Sequence, residues 1–187
     1  MTDAAVAPKT PEEAFAYFHS RRELAAVQPK GSLALTTTQA IDAPQTVWGV
    51  PGSWAPLPAG ESGVALTASA ADGIEVDGEL VDGTVAVRGR DDANPSSIRF
   101  SDTVSGLVIA LEDGLYALRV WDAESEGVRE FGGIDAFPYD PEWVVTAEWS
   151  VNPEGTTLGF EHLKDQGRTR DEVVPGRIVF TRDGVEY

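Results

Sequence analysis

The chain has 187 residues, 42% of them hydrophobic, with 31 acidic against 14 basic side chains for a formal net charge of -17. That length suits one ordinary domain with its own core, and the apolar fraction with five tryptophans argues for a packed globule in spite of the charge. The acidic balance disfavours nucleic acid and anionic membrane as partners, because both demand a basic footprint, and the absence of cysteine removes disulfides, thiolate nucleophiles and thiolate metal centres.

Residues 1–9, rich in alanine, read as a disordered lead-in. They lack the basic then apolar pattern of a secretory signal, and no apolar run approaches the roughly 18 residues that span a bilayer. A cytoplasmic location is the default expectation. A helix then starts cleanly: Thr10 suits the N-cap, Pro11 the first helical position, and Glu13 completes a capping box and sits well at the positive end of the dipole. It should run to about Val27, with Phe15, Phe18 and Leu24 on a stripe that docks on a sheet.

Leu33 to Thr37 has strand character, whereas Pro44 to Pro58, with four prolines, Trp48 and Trp54, reads as an irregular loop or edge. Turn signals follow at Asp72-Gly73, Asp77-Gly78, Asp82-Gly83, Asp113-Gly114 and Asp183-Gly184. Asp-Gly suits the type I′ hairpin, which needs positive φ at both central residues, so the region predicts an antiparallel meander. The best hairpin joins Leu107–Leu111 to Leu115–Trp121. Trp143 to Val151 alternates apolar and mostly polar residues and is expected as the clearest strand, and Leu158–His162 and Arg177–Thr181 are further candidates. Asp183-Gly184 opens a last hairpin with only Val185, Glu186 and Tyr187 for its returning arm. The fold class is therefore mainly β: an antiparallel, partly closed barrel or sandwich with one N-terminal α-helix, forming a single domain over residues 10–187.

Phe18-His19-Ser20-Arg21-Arg22, Gly31-Ser32-Leu33, Leu118-Arg119-Val120-Trp121-Asp122, Phe137-Pro138-Tyr139-Asp140-Pro141-Glu142-Trp143, Pro175-Gly176-Arg177-Ile178-Val179-Phe180 and Asp183-Gly184-Val185-Glu186-Tyr187 follow one another in order. Together they make the chain resemble the domain of unknown function 1684 family, bacterial and archaeal proteins with no assigned activity. The resemblance covers residues 10–187. It implies a continuation with an aspartate-containing strand, a Thr-Tyr and Arg motif and a segment rich in Asn, Pro and Cys, so two expectations stand: either the sheet ends on the short arm after Gly184, or the chain is a truncated portion of a longer protein. Arg119, Asp122, Pro138 and Trp143 match family-like positions, and no role comes with them.

On a strand, Leu115, Ala117, Arg119 and Trp121 share one face. Arg119 could anchor an anion through its bidentate fork, with Trp121 as a stacking wall; the plainer alternative pairs it with Asp135 or Asp140 to fix the following loop. Phe137, Tyr139 and Trp143 could line a pocket mouth with Asp135 and Asp140 as polar anchors, or simply cap the core beside two stiffening prolines, which would deliver Trp143 to the interior.

Asp72, Asp77 and Asp82 recur every five residues, yet the spacing is not that of an EF-hand, and no metal is expected there. His19 and His162 form no metal-binding pair, no Gly-x-Ser-x-Gly elbow or Walker loop occurs, and no cofactor is implied. The function expected is a small-molecule-binding β-domain for an anionic or aromatic ligand, with Arg119, Trp121, Asp135, Phe137, Tyr139 and Trp143 as its site. Two alternatives stand beside it: a fragment of a carboxylate-based hydrolase whose remaining site lies beyond residue 187, and a structural module that forms a homo-oligomer through its C-terminal edge strand.

Overall fold

The computed structural model describes residues 10–58, 60–111, 114–161, 167 and 169–187. The expected lead-in over residues 1–9, Asp113 of one turn signal, and His162 lie outside that set. The described residues fall into two compact units, one ending at Ala136 and one spanning Phe137–Tyr187.

In the first unit, α1 (Pro11–Ala26) begins as the sequence dictates. The Glu13 N–H donates to the Thr10 hydroxyl at 3.1 Å and the Thr10 N–H to the Glu13 carboxylate at 3.0 Å, satisfying two donors that the helix itself leaves open. The expected docking stripe does not form: no residue of α1 is buried, and Phe18 and Leu24 remain 65% and 56% exposed. At about 100° per residue Leu24 falls opposite Phe15, so the apolar side chains surround the cylinder instead of sharing a face. Polar contacts hold the helix: His19 Nε2 lies 3.0 Å from the Ile134 carbonyl, and the Ile134 N–H donates to the Glu23 carboxylate at 3.0 Å. Gly31 follows because any Cβ there would lie 2.5 Å from the carbonyl oxygens of Ala25 and Ala26.

Nine strands follow: β1 (Leu35–Ile41), β2 (Ser53–Pro56), β3 (Val64–Ala68), β4 (Glu75–Val76), β5 (Glu79–Leu80), β6 (Gly83–Val87), β7 (Ile98–Arg99), β8 (Val104–Ala110) and β9 (Tyr116–Asp122). They build a six-stranded sheet in the order β1-β9-β8-β7-β4-β5 and a three-stranded sheet β2-β3-β6, and every pairing is antiparallel. β1 lies later than expected because its register is set against β9, distant in sequence, where Leu35 pairs with Trp121 and Ile41 with Tyr116. The proline-rich stretch is not all loop: β2 lies within it and Trp54 is fully buried.

One apolar cluster is shared by the two sheets. Trp54, Val64, Leu66 and Val87 come from the three-stranded sheet, and Ile41, Val76, Ile98, Val108, Leu118 and Val120 from the six-stranded one. Their side chains alternate inward along each strand, as a half-buried sheet requires. Phe100 meets Trp54 edge-on at 6.2 Å between ring centroids. After β9 a single turn of helix, α2 (Glu126–Arg129), is capped by Ser125, whose hydroxyl accepts from the Val128 N–H.

The Asp-Gly signals divide. Asp77-Gly78, with φ of 55° and 85°, turns β4 into β5 as a positive-φ hairpin. β8 and β9 pair throughout around Gly114, as expected for the best hairpin. Asp72-Gly73 instead closes a 3₁₀ turn, because the Asp72 carboxylate accepts from the Ser69 N–H and hydroxyl, and Gly83 opens β6 without a β5–β6 pairing.

The second unit contains β10 (Glu148–Val151), β11 (Thr157–Glu161), β12 (Thr169–Val173), β13 (Gly176–Val179), β14 (Thr181–Arg182) and β15 (Val185–Glu186). They pair antiparallel as β10-β13, β11-β12 and β14-β15, the last around Asp183-Gly184 with φ of 53° and 77°. The long strand expected from Trp143 begins only at Glu148. Asp140 caps a 3₁₀ turn at Pro141–Trp143, its carboxylate accepting from the Glu142 N–H at 2.9 Å, and a proline at the first position of that turn suits it. Trp143 is 63% exposed, so it is not delivered to a core, and no described residue of this unit is buried.

The fold is thus mainly β, with antiparallel sheets and one long N-terminal helix, and the described residues contain no closed barrel. Among them no helix is long and apolar enough to cross a membrane.

Candidate functional site

The core takes one face of the six-stranded sheet, and the register defines what stands on the other. Directly paired residues on neighbouring strands point to the same side, so Glu75, Arg99, Ser105, Trp121 and Leu35 form one row across five strands. Leu107, Arg119 and Thr38 form the next, and Ile109, Ala117 and Ala40 the third. Arg119 and Trp121 therefore share this outer face, as their spacing on β9 requires.

Trp121 is 7% exposed and Ala117 1%. Arg119 between them is half-buried, its Nε is shielded from solvent and has no hydrogen-bond partner among the described residues, and within the first unit it forms no ion pair among the described residues, with Asp135 or any other carboxylate; Asp140 belongs to the second unit. Arg88 meets Asp77 at 2.7 Å, Arg170 meets Glu172 at 2.7 Å, and Arg99 pairs with Glu75, whereas Arg21, Arg22, Arg90, Arg129 and Arg177, like Arg119, form no ion pair among the described residues; what marks Arg119 is its shielded Nε. A shielded side-chain nitrogen without a partner is costly; Trp54 Nε1 and Arg182 Nη1 are in the same state, and Arg182 differs in that its other nitrogens reach Glu142 and Asp183.

At the other end of the first row the sheet opens into a shallow cleft of about 430 Å³, lined among others by Glu75, Ser97, Arg99, Asp102 and Ser105. Arg99 is its central charge. Nε donates to Glu75 at 3.0 Å, a second nitrogen pairs with the other Glu75 oxygen, and Nη1 donates to Asp102 at 3.2 Å. The hydrogen bond and charge of Glu75 raise the Arg99 pKa above its ordinary value, so it stays protonated. These residues drew no attention in the sequence, since they come from β4, the residue before β7, β7 itself, β8 and the turn between β7 and β8, and only the register assembles them.

A separate polar network surrounds Asp77 at positive φ. Its carboxylate accepts from the Ser97 N–H at 2.8 Å, the Ser96 hydroxyl at 3.0 Å and Arg88 Nη2 at 2.7 Å, while Arg88 Nε donates to the Asn94 carbonyl at 2.6 Å. Partial burial pushes the Asp77 carboxyl up, but the bonds from Ser97 and Ser96 and the Arg88 charge outweigh it and hold the pKa below the ordinary value. Asp72 and Asp82 likewise serve the backbone, at Ser69 and Ala70. Among the described residues no three carboxylates or imidazoles gather around a common point for a metal ion.

Of the remaining expected site residues, Asp135 is exposed and ends the first unit with Ala136, while Phe137, Tyr139 and Trp143 belong to the second. Phe137 is 92% exposed and Tyr139 half-buried. Trp143 is engaged within its own unit: the Arg182 guanidinium lies 3.7 Å from its ring centroid, and Arg182 Nη2 reaches Glu142 at 3.4 Å. Arg182 was not singled out in the sequence; its Nε also lies 3.6 Å from the Asp183 carboxylate.

Residues 129–186 match the model of a family described as a protein of unknown function (DUF1684). The resemblance read from the sequence holds over that stretch, which runs from the end of α2 through nearly all of the second unit; the motifs at Phe18–Arg22 and Leu118–Asp122 lie outside it. No curated protein and no solved structure matches the chain.

Proposed function

We propose that this protein is a small-molecule-binding β-domain whose ligand carries an anionic group held by Arg119, with Trp121 beside it on the outer face of the six-stranded sheet. The observation that supports the reading is the half-buried Arg119 guanidinium, whose shielded Nε has no hydrogen-bond partner among the described residues. A bidentate carboxylate or phosphate would meet the terminal Nη1 and Nη2 of the fork and bring its negative charge to a guanidinium whose Nε is shielded. The test is thermal unfolding of the wild type and Arg119→Met with citrate, benzoate and nucleoside monophosphates. A ligand present at 100 times its dissociation constant adds about 2.7 kcal/mol. Stabilisation of the wild type alone supports the reading, and no stabilisation of either protein by any of these anions overturns it.

A second reading, a homo-oligomer formed through the second unit, is favoured by a different observation. Every described residue there is at least partly exposed, Trp149, Ile178, Leu158, Phe160 and Val185 by about half or more. Among the described residues its paired strands come in twos, leaving edges that an identical unit could extend. Light scattering decides it: a concentration-dependent dimer supports pairing, and a monomer at high concentration removes it.

A further inference from the structure

We infer that the cleft at the β4–β7–β8 end of the outer face is a binding site apart from Arg119, and that it takes a neutral polyhydroxylated molecule of the sugar or polyol class. Its polar groups are matched to such a molecule and to little else. Arg99 has five N–H donors, of which three are spent on Glu75 and Asp102. The rest remain to donate, while the carboxylates of Glu75 and Asp102 keep lone pairs with which to accept. Ser97 and Ser105 add hydroxyls with no partner among the described residues, each able to donate and accept at once.

Charge narrows the class. Two carboxylates against one guanidinium leave an excess of negative charge, which turns away phosphate and carboxylate ligands. An ammonium group would have to compete for Glu75 with a two-point guanidinium pair. Adjacent hydroxyls on a ring or chain, by contrast, present donors and acceptors together at the spacing of paired side chains, and Pro29 and Val104 in the cleft wall offer an apolar surface to the C–H face of such a ligand. A volume of about 430 Å³ accommodates one small ring.

Backbone amide NMR on the full chain tests this, with D-glucose, D-galactose, D-mannose, myo-inositol and glycerol as neutral probes and inorganic phosphate as the anionic one. At least one neutral probe should shift the amides of Ser97, Arg99 and Ser105. Ser105→Val and Ser97→Ala should each weaken its binding by about fivefold, the worth of one hydrogen bond, with amide spectra otherwise like the wild type. Arg119→Met should leave the titration unchanged, which keeps this site's failure separate from that of the Arg119 reading. The inference is overturned if no neutral probe moves those amides, if both serine variants bind like the wild type, or if phosphate binds there as tightly as the best neutral probe.

Discussion

The guanidinium of Arg182 lies over the indole of Trp143 at 3.7 Å from the ring centroid, and its Nη2 reaches Glu142 at 3.4 Å. One side chain thereby ties the 3₁₀ turn at Pro141–Trp143 to the β14-β15 hairpin, 40 residues away in sequence. The hairpin is closed above it by Phe180 stacked on Tyr187 at 5.3 Å, with main-chain bonds in both directions between them. In a unit whose described residues include none that is buried, such contacts weigh more than they would beside a core.

Arg182→Ala is expected to destabilise the second unit by about 1 kcal/mol, the worth of a cation–π contact with modest shielding. The Trp143 indole N–H resonance should shift and its neighbours exchange faster with solvent, while the amides of the six-stranded sheet stay protected. Arg182→Lys should recover part of the loss, because an ammonium keeps the charge but not the flat stacking surface. Hydrogen exchange that is equal in all three proteins would show that the stacking holds nothing.

Asp77→Asn should lower stability by roughly 1–2 kcal/mol, since it removes the charge facing Arg88 and weakens the bond of the buried Ser96 hydroxyl, with the exposed share of the pair screened by solvent. The pH dependence has a definite sign. The folded pKa lies below the ordinary aspartate value, so the contribution of this carboxylate is present above that ordinary value and is lost as pH falls through the lower folded pKa. Urea midpoints measured from pH 6 downward should therefore fall less steeply in Asp77→Asn than in the wild type. Parallel curves for the two proteins would remove Asp77 as a source of acid sensitivity.

Leu66→Ala should cost about 2–5 kcal/mol, because Leu66 is fully buried between the two sheets and the vacated space cannot collapse. Trp149→Ala, by contrast, removes a larger side chain that is 56% exposed and should change the stability of the first unit by less than about 0.5 kcal/mol. Chemical denaturation followed by hydrogen exchange separates the two. A loss in Trp149→Ala as large as in Leu66→Ala would mean that the apolar surface of the second unit is covered in solution.

Elements fixed by neighbours in the chain were legible in the sequence. The capping box at Thr10 and Glu13, the β8-β9 hairpin and the turns at Asp77-Gly78 and Asp183-Gly184 depend on residues within a few positions, so their chemistry is visible locally. Asp72-Gly73 misled because the same dipeptide also closes a 3₁₀ turn once the carboxylate finds Ser69. Trp143 misled because period-two alternation can persist through a segment that pairs with nothing, and Asp140 with Pro141 favoured a different local structure. Arg119 and Trp121 were found together because two residues apart on a strand is the same face. The cleft at Arg99 escaped because its row is written by register across separate strands, which no local pattern encodes.

Arg119 separates a ligand anchor from a structural arginine through stability measured without ligand. A salt-bridged arginine holds the fold, so its removal destabilises; a half-buried guanidinium whose shielded Nε has no hydrogen-bond partner among the described residues carries a cost that a bound anion would offset. Arg119→Met keeps most of the apolar stem against Leu107 and Ala117 on the outer face while removing the charge. Its unfolding midpoint without ligand should equal or exceed that of the wild type, by up to about 1 kcal/mol in stability. The order should reverse when a stabilising anion is present, because only the wild type can hold it. A midpoint well below the wild type without ligand would make Arg119 a structural residue and leave the outer face without its anchor.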